Sequence, residues 1–118
     1  MALYRVGVIN EEGRGKDADY PKAMECYTKC LEGGYPKAGY RLGMMYLDGK
    51  GVPINADKAS KFFVKAADLG SEDAMCMLGK MSLSGEGMVK SVNNARKWLQ
   101  KAAIRGSQEA ASILEGLQ

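Results

Sequence analysis

The chain contains no histidine among its 118 residues. That absence removes the commonest general acid–base, the commonest nitrogen ligand for metals and the usual base of a nucleophile pair. Cysteine is scarce: Cys26, Cys30 and Cys76 form an odd set without framework spacing, which argues against a disulfide scaffold and for a reducing compartment. Cys26 and Cys30 stand four residues apart. Two thiols with no histidine make a poor zinc site, and on an apolar helix face free cysteine behaves as a small hydrophobe. No apolar run approaches the roughly 20 residues of a membrane helix. The start of the chain, Met1 to Gly7, has no basic region followed by an apolar block, so no signal peptide is expected and the expected location is cytoplasmic. Charge is nearly balanced, with 17 basic and 14 acidic residues and a net charge of +3.

What the chain holds in quantity is glycine, 15 residues in all, and its placement is periodic. Gly7, Gly43 and Gly79 fall at a step of 36, as do Gly13, Gly49 and Gly85, then Gly15, Gly51 and Gly87, and finally Gly34, Gly70 and Gly106. Ala2, Ala38, Ala74 and Ala110 keep the same step, and so do Ala23, Ala59 and Ala95. Three copies therefore run over 2–37, 38–73 and 74–109, with a partial fourth behind them. A period of this length is the mark of a repeat architecture. The whole chain, 1–118, is expected to form one domain.

Each copy reads as two helices. In the middle copy Ala59, Phe62, Phe63, Ala66 and Ala67 fall at i, i+3, i+4, i+7, i+8, one face of a helix. Asp19, Asn55 and Ser91 share one repeat position and are good N-caps. Pro21 sits in the first turn that follows Asp19, where its missing N–H does least harm. Gly34, Gly70 and Gly106 supply the left-handed residue that ends a helix. The first helix of a pair is predicted over 36–48 and 72–84, with Pro36 starting one and Ser71 capping the other. Gly43 and Gly79 then lie inside helices, each costing about 1 kcal/mol against alanine; close helix–helix approach is the expected reason. A lone hairpin cannot bury its apolar face, so the predicted fold is all-α: a right-handed α-solenoid of stacked antiparallel helix pairs. A capping helix over 108–118 would close it with Ile113, Leu114 and Leu117.

The run Ala38, Leu42-Gly43, Tyr46, Gly49-Lys50-Gly51-Val52-Pro53, Asn55, Lys58-Ala59, Phe62-Phe63, Ala66-Ala67, Gly70 and Ala74 resembles a Sel1-like repeat. That family is related to tetratricopeptide repeats and has a longer inter-helix loop marked by paired glycines. The outer copies depart from the pattern: Tyr46 is matched by Asn10 and Ser82, and Val52 by Lys16 and Met88. The three cysteines do not reproduce the spacing of the family's disulfide-linked secreted branch. The resemblance implies a scaffold or adaptor that binds another protein, with no reaction and no cofactor.

By analogy with tetratricopeptide geometry, the first helices line the concave side. The groove expected from that placement takes Tyr40, Arg41, Met44, Leu47 and Asp48 from the middle copy. Tyr4, Arg5, Val8, Glu11 and Glu12 are the equivalents in the first copy, and Cys76, Met77 and Lys80 those in the third. Tyrosine is favoured at interfaces and methionine adapts to varied partners, so the expected ligand is a peptide or helix of a partner protein. Lys97, Lys101 and Arg105 form a basic stripe at i, i+4, i+8 on the last second helix. An anionic ligand or nucleic acid is the alternative there, against the commoner reading as a solvated face. With Trp98 expected to face the core, no aromatic is left for base stacking, which disfavours nucleic acid. The glycine pairs follow no strand and lack the Gly-Lys-Ser/Thr ending of a phosphate loop. Adjacent Glu11 and Glu12 point apart on a helix and make no acid–base dyad. The chain also fits a unit cut from, or designed after, a longer array. No feature specifies an oligomeric state.

Overall fold

The computed structural model describes residues 2–13 and 17–117, and within them the chain forms helices joined by turns, with no strand. The expected equivalents Gly15 and Lys16 lie outside the described residues, as does Gln118 at the end of the expected cap. The helices are α1 (Ala2–Glu12), α2 (Tyr20–Glu32), α3 (Pro36–Asp48), α4 (Ala56–Asp68), α5 (Glu72–Ser84), α6 (Val92–Ile104) and α7 (Gln108–Gly116). The hairpins α1–α2, α3–α4 and α5–α6 stack in line, and each second helix abuts the first helix of the next pair. The result is an α-solenoid of 46 × 27 × 24 Å.

Local chemistry sets the helix ends. The side chains of Asp19, Asn55 and Ser91 accept hydrogen bonds from the backbone N–H groups of Lys22, Lys58 and Asn94. Ser71 and Ser107 do the same for Ala74 and Ala110 at the starts of α5 and α7. The second helices close in Schellman geometry: the N–H groups of Tyr35, Ser71 and Ser107 donate to the carbonyls of Cys30, Ala66 and Ala102. The residue between carries positive φ, 87° at Gly34, 103° at Gly70 and 106° at Gly106. Each loop within a hairpin is clasped by one further main-chain bond. The N–H groups of Asp19, Asn55 and Ser91 reach the carbonyls of Asn10, Tyr46 and Ser82 at 2.8, 2.9 and 2.8 Å.

The helix-interior glycines have the expected cause. A methyl group on Gly7 would stand 2.7 Å from the Tyr27 ring and one on Gly79 2.5 Å from Leu99, while Gly43 lies flat against Phe63. Tyr27, Phe63 and Leu99 are themselves buried, so the first and second helix of every pair meet with a large side chain laid over a glycine. Cys26 and Cys30 are buried, as expected of packing residues. Met45 and Met81 belong to the core, whereas Met44 and Met77 are half-buried. Trp98 faces the core as expected, without being fully buried. It packs on the core only in part, because Leu99 takes the inward position and leaves the indole flanking it.

Candidate functional site

The first helices crowd together on one side of the solenoid, where α3 meets α5 and α5 meets α7. Open clefts separate the second helices on the other side: one of about 410 Å³ between α2 and α4, and one of about 400 Å³ between α4 and α6. The first helices therefore line the inner face, and the expected groove residues are distributed along it unequally.

Tyr4, Tyr40 and Arg41 come together around a depression of about 230 Å³ whose other walls are Lys37, Ser71 and Asp73. Tyr40 leans on Phe63 with ring centroids 5.9 Å apart. Burial first, and then the Asp73 charge, raise the pKa of its hydroxyl, so Tyr40 presents a neutral O–H at neutral pH. Tyr4 contacts Tyr35 edge-on at 5.0 Å. Its hydroxyl accepts a 3.1 Å hydrogen bond from Arg41 Nε, which holds the guanidinium over the groove. Met44, Leu47 and Met77 are half-buried beside this row and pack against the core below. Val8 does so in the first copy. Arg5, Glu12 and Asp48 are exposed along its margin.

Two expected groove residues are not available to a ligand. Cys76 is only 3% exposed; burial raises its thiol pKa, and the neighbouring Glu109 charge adds to the rise. Glu11 is 6% exposed and is consumed internally. Its Oε1 accepts a 2.7 Å bond from Tyr27 Oη, Lys50 Nζ lies 3.1 Å from Oε2, and an Arg41 nitrogen stands 3.6 Å away. Glu11 thus ties the first hairpin to the loop and helix of the second, and does not read a partner. Burial, reinforced by the Glu11 carboxylate, drives the Tyr27 pKa far up and keeps that hydroxyl a donor. Lys80 stays on the groove but is bonded to Glu109 of α7.

Lys37, Ser71 and Asp73 were missing from the expected set. The signal for them was present: Lys37, Asp73 and Glu109 share one repeat position, and Lys37 stands three residues before Tyr40. The row of side chains on the inner face simply begins one turn earlier than the tyrosine. On the other side, Lys97, Lys101 and Arg105 are exposed, though not as a free row. Lys101 Nζ sits 5.0 Å from the centre of the Trp98 ring, and the Arg105 guanidinium lies over Gly70. Among the described residues no group of three or more acidic or cysteine side chains converges to hold a metal ion. No helix there is long and apolar enough to cross a membrane.

Comparison with known proteins agrees with the repeat structure. The Sel1 repeat family matches at residues 1–35, 36–71 and 72–107. A Sel1 repeat protein from Oxalobacter formigenes superposes with a TM-score of 0.87 at 30% identity, over 98% of this chain and 86% of its own. A protective antigen of uropathogenic Escherichia coli displaying an SLR fold gives a TM-score of 0.87 at 31% identity, over 92% of this chain and 23% of its own. Cysteine-rich protein B of Helicobacter pylori gives 0.81 at 26% identity, over 95% of this chain and 91% of its own. No curated protein matches the sequence.

Proposed function

Because the chain belongs to the Sel1 repeat family, whose members are generally protein-interaction scaffolds, we propose that it is an adaptor that holds a peptide or helix of a partner protein on its inner face. The observation that carries this reading is the depression bounded by Tyr4, Tyr40, Arg41, Lys37 and Asp73. It combines two half-buried aromatic rings with fixed charges of both signs. Aromatic anchors in a mostly preformed surface supply affinity, and the surrounding charges set register and choice of partner. A ligand suited to it carries an apolar or aromatic anchor, with an acidic group toward Lys37 and Arg41 and a basic group toward Asp73.

Lys37 and Asp73 are exposed, so reversing their charges leaves the fold intact. Affinity capture from matched lysate should recover a protein with the wild-type chain and lose it with the Lys37→Glu/Asp73→Lys variant. Circular dichroism of the two should superpose. Equal recovery by both would remove the groove assignment.

A further inference from the structure

The outer sides of the second helices repeat in position but not in charge. In α2 the exposed Lys22 and Lys29 alternate with the exposed Glu25 and Glu32. At the step of 36, Glu25 gives way to Lys61 in α4 and Lys97 in α6, and Glu32 to Asp68 and then Ile104. The next position runs Gly33, Leu69, Arg105. No acidic residue is left in α6. Its Lys97 and Lys101, and Arg105 at its end, are exposed and stand about one helical turn apart. Among the described residues none of the three is paired with a carboxylate. Lys101 Nζ is held instead over the Trp98 ring, 5.0 Å from its centre, a contact that positions the ammonium without neutralising it.

This row borders the cleft of about 400 Å³ between α4 and α6. Ala67 and Met75 form the cleft's buried floor. Lys101, Arg105 and the 86% exposed Ile104 stand on its α6 side, and Asp68 on its α4 side. The equivalent cleft between α2 and α4 is lined by Glu32, Asp68 and Lys65, so the cationic wall belongs to the third copy alone. We propose that the α4–α6 cleft and the row beside it dock an acidic segment of a partner protein that carries aliphatic side chains. Its carboxylates lie along Lys97, Lys101 and Arg105, and an aliphatic side chain enters between Ile104 and Met75. Charge complementarity selects the sign of the ligand. The apolar floor selects a peptide over a nucleic acid, since a phosphate backbone would leave Met75 and Ile104 uncovered. Lys101 already stands over the Trp98 ring, where a base would stack. Asp68 on the far wall keeps the ligand's acidic groups on the α6 side. The site lies on the opposite side of the solenoid from the Tyr40 depression.

The probe is a labelled peptide of repeated Glu-Glu-Leu, read by fluorescence anisotropy at physiological ionic strength. Counterparts replace Leu by Ser, or Glu by Lys. The Glu-Glu-Leu peptide should bind, and Lys97→Glu/Lys101→Glu should weaken it at least about tenfold. Both lysines are exposed, so circular dichroism of the variant should match the wild type. Lys22→Glu/Lys29→Glu makes the same change of net charge on α2 and should retain binding. So should Lys37→Glu/Asp73→Lys, which separates this site from the inner face. Ile104→Ser should weaken the Glu-Glu-Leu peptide and leave the Glu-Glu-Ser peptide unaffected. The proposal is overturned if the Glu-Glu-Leu peptide binds no better than its Lys counterpart, or if Lys97→Glu/Lys101→Glu leaves its affinity unchanged. Equal binding of the Leu and Ser peptides would reduce the face to plain ion attraction and overturn it too. Tighter binding of an oligothymidylate, lost with the same two lysines, would assign the face to nucleic acid instead.

Discussion

The polar cluster at Glu11 shows what one residue can change inside a repeated frame. Its repeat equivalents are Leu47 and Leu83, and those of its partner Tyr27 are Phe63 and Leu99. Two copies thus pair apolar with apolar where the first pairs a carboxylate with a hydroxyl 2.7 Å away. Removing the carboxylate strands the buried Tyr27 hydroxyl. Removing the hydroxyl takes from Glu11 its 2.7 Å donor while Lys50 and Arg41 remain. Each costs about 1–3 kcal/mol for a lost buried hydrogen bond. Glu11→Leu and Tyr27→Phe should each lower urea-unfolding stability by that order, and the double variant should recover most of the loss by recreating the Leu47–Phe63 arrangement. Additive losses would refute the coupling. The pairing was legible in the repeat alignment, since both departures fall in the same copy; the expectation of a groove role for Glu11 weighed only its position on the helix.

A second residue-scale effect depends on pH. The Lys80 contact lowers the pKa of Glu109, and the Glu109 contact raises that of Lys80. A lowered carboxylate pKa gives stability that is present above the unfolded value, near 4.3, and is lost as pH falls through the folded one. A raised lysine pKa gives stability that is lost only as pH climbs through the folded lysine value. The pair therefore acts across the neutral range. Both partners are more than one-third exposed, so solvent screening limits it to under about 1 kcal/mol. Glu109→Gln should cost that little at pH 7 and nothing once the solution is acid enough to protonate Glu109 in the folded chain, as read from urea midpoints at both pH values.

At the scale of the element, glycine and the capping residues do the specifying. Alanine is normally favoured over glycine in a helix interior by about 1 kcal/mol. At Gly43 the sign reverses, because the Phe63 ring fills the space a methyl group would need. Gly43→Ala should destabilise by about 1–3 kcal/mol as an overpacked site. Gly116→Ala has no neighbour within 4 Å and should be neutral or slightly stabilising. Thermal unfolding of the pair checks both, and a stabilising Gly43→Ala would contradict the close-approach account. Helix limits were legible because the caps and stops recur: α3 and α5 run over the predicted 36–48 and 72–84. Side-chain exposure was less so. Periodicity separates faces of a helix, but neighbours decide how far each face is covered. Cys76 went the other way from the face assigned to it, because α7 packs against α5; Trp98 lies on the core side as assigned, but Leu99 beside it takes the fully buried place.

For the whole molecule, hairpins meet chiefly their neighbours in sequence, so stability approximates a sum of units and interfaces. The closing helix is then one removable term. Ending the chain at Gly106 would uncover the faces of α5 and α6 on which Ala110, Ile113, Leu114 and Leu117 pack. The loss should be about 3–5 kcal/mol at the usual value for partly buried aliphatic side chains, a large part of the total for a chain this small. Thermal melting and light scattering should show a lower midpoint and new association; an unchanged midpoint would mean that α7 is not a cap.

The main-chain clasp inside each hairpin bears on how such an array diversifies. The bond from Asp19, Asn55 or Ser91 ends on a carbonyl, so it does not depend on which side chain stands above that carbonyl. Asn10, Tyr46 and Ser82 differ in size and polarity and accept the same bond. Asn10 and Ser82 are buried and Tyr46 stacks on Phe62, so a codon change there alters how the hairpin packs and leaves the main-chain clasp alone. Mutation can therefore retune the packing inside one unit without unclasping its loop.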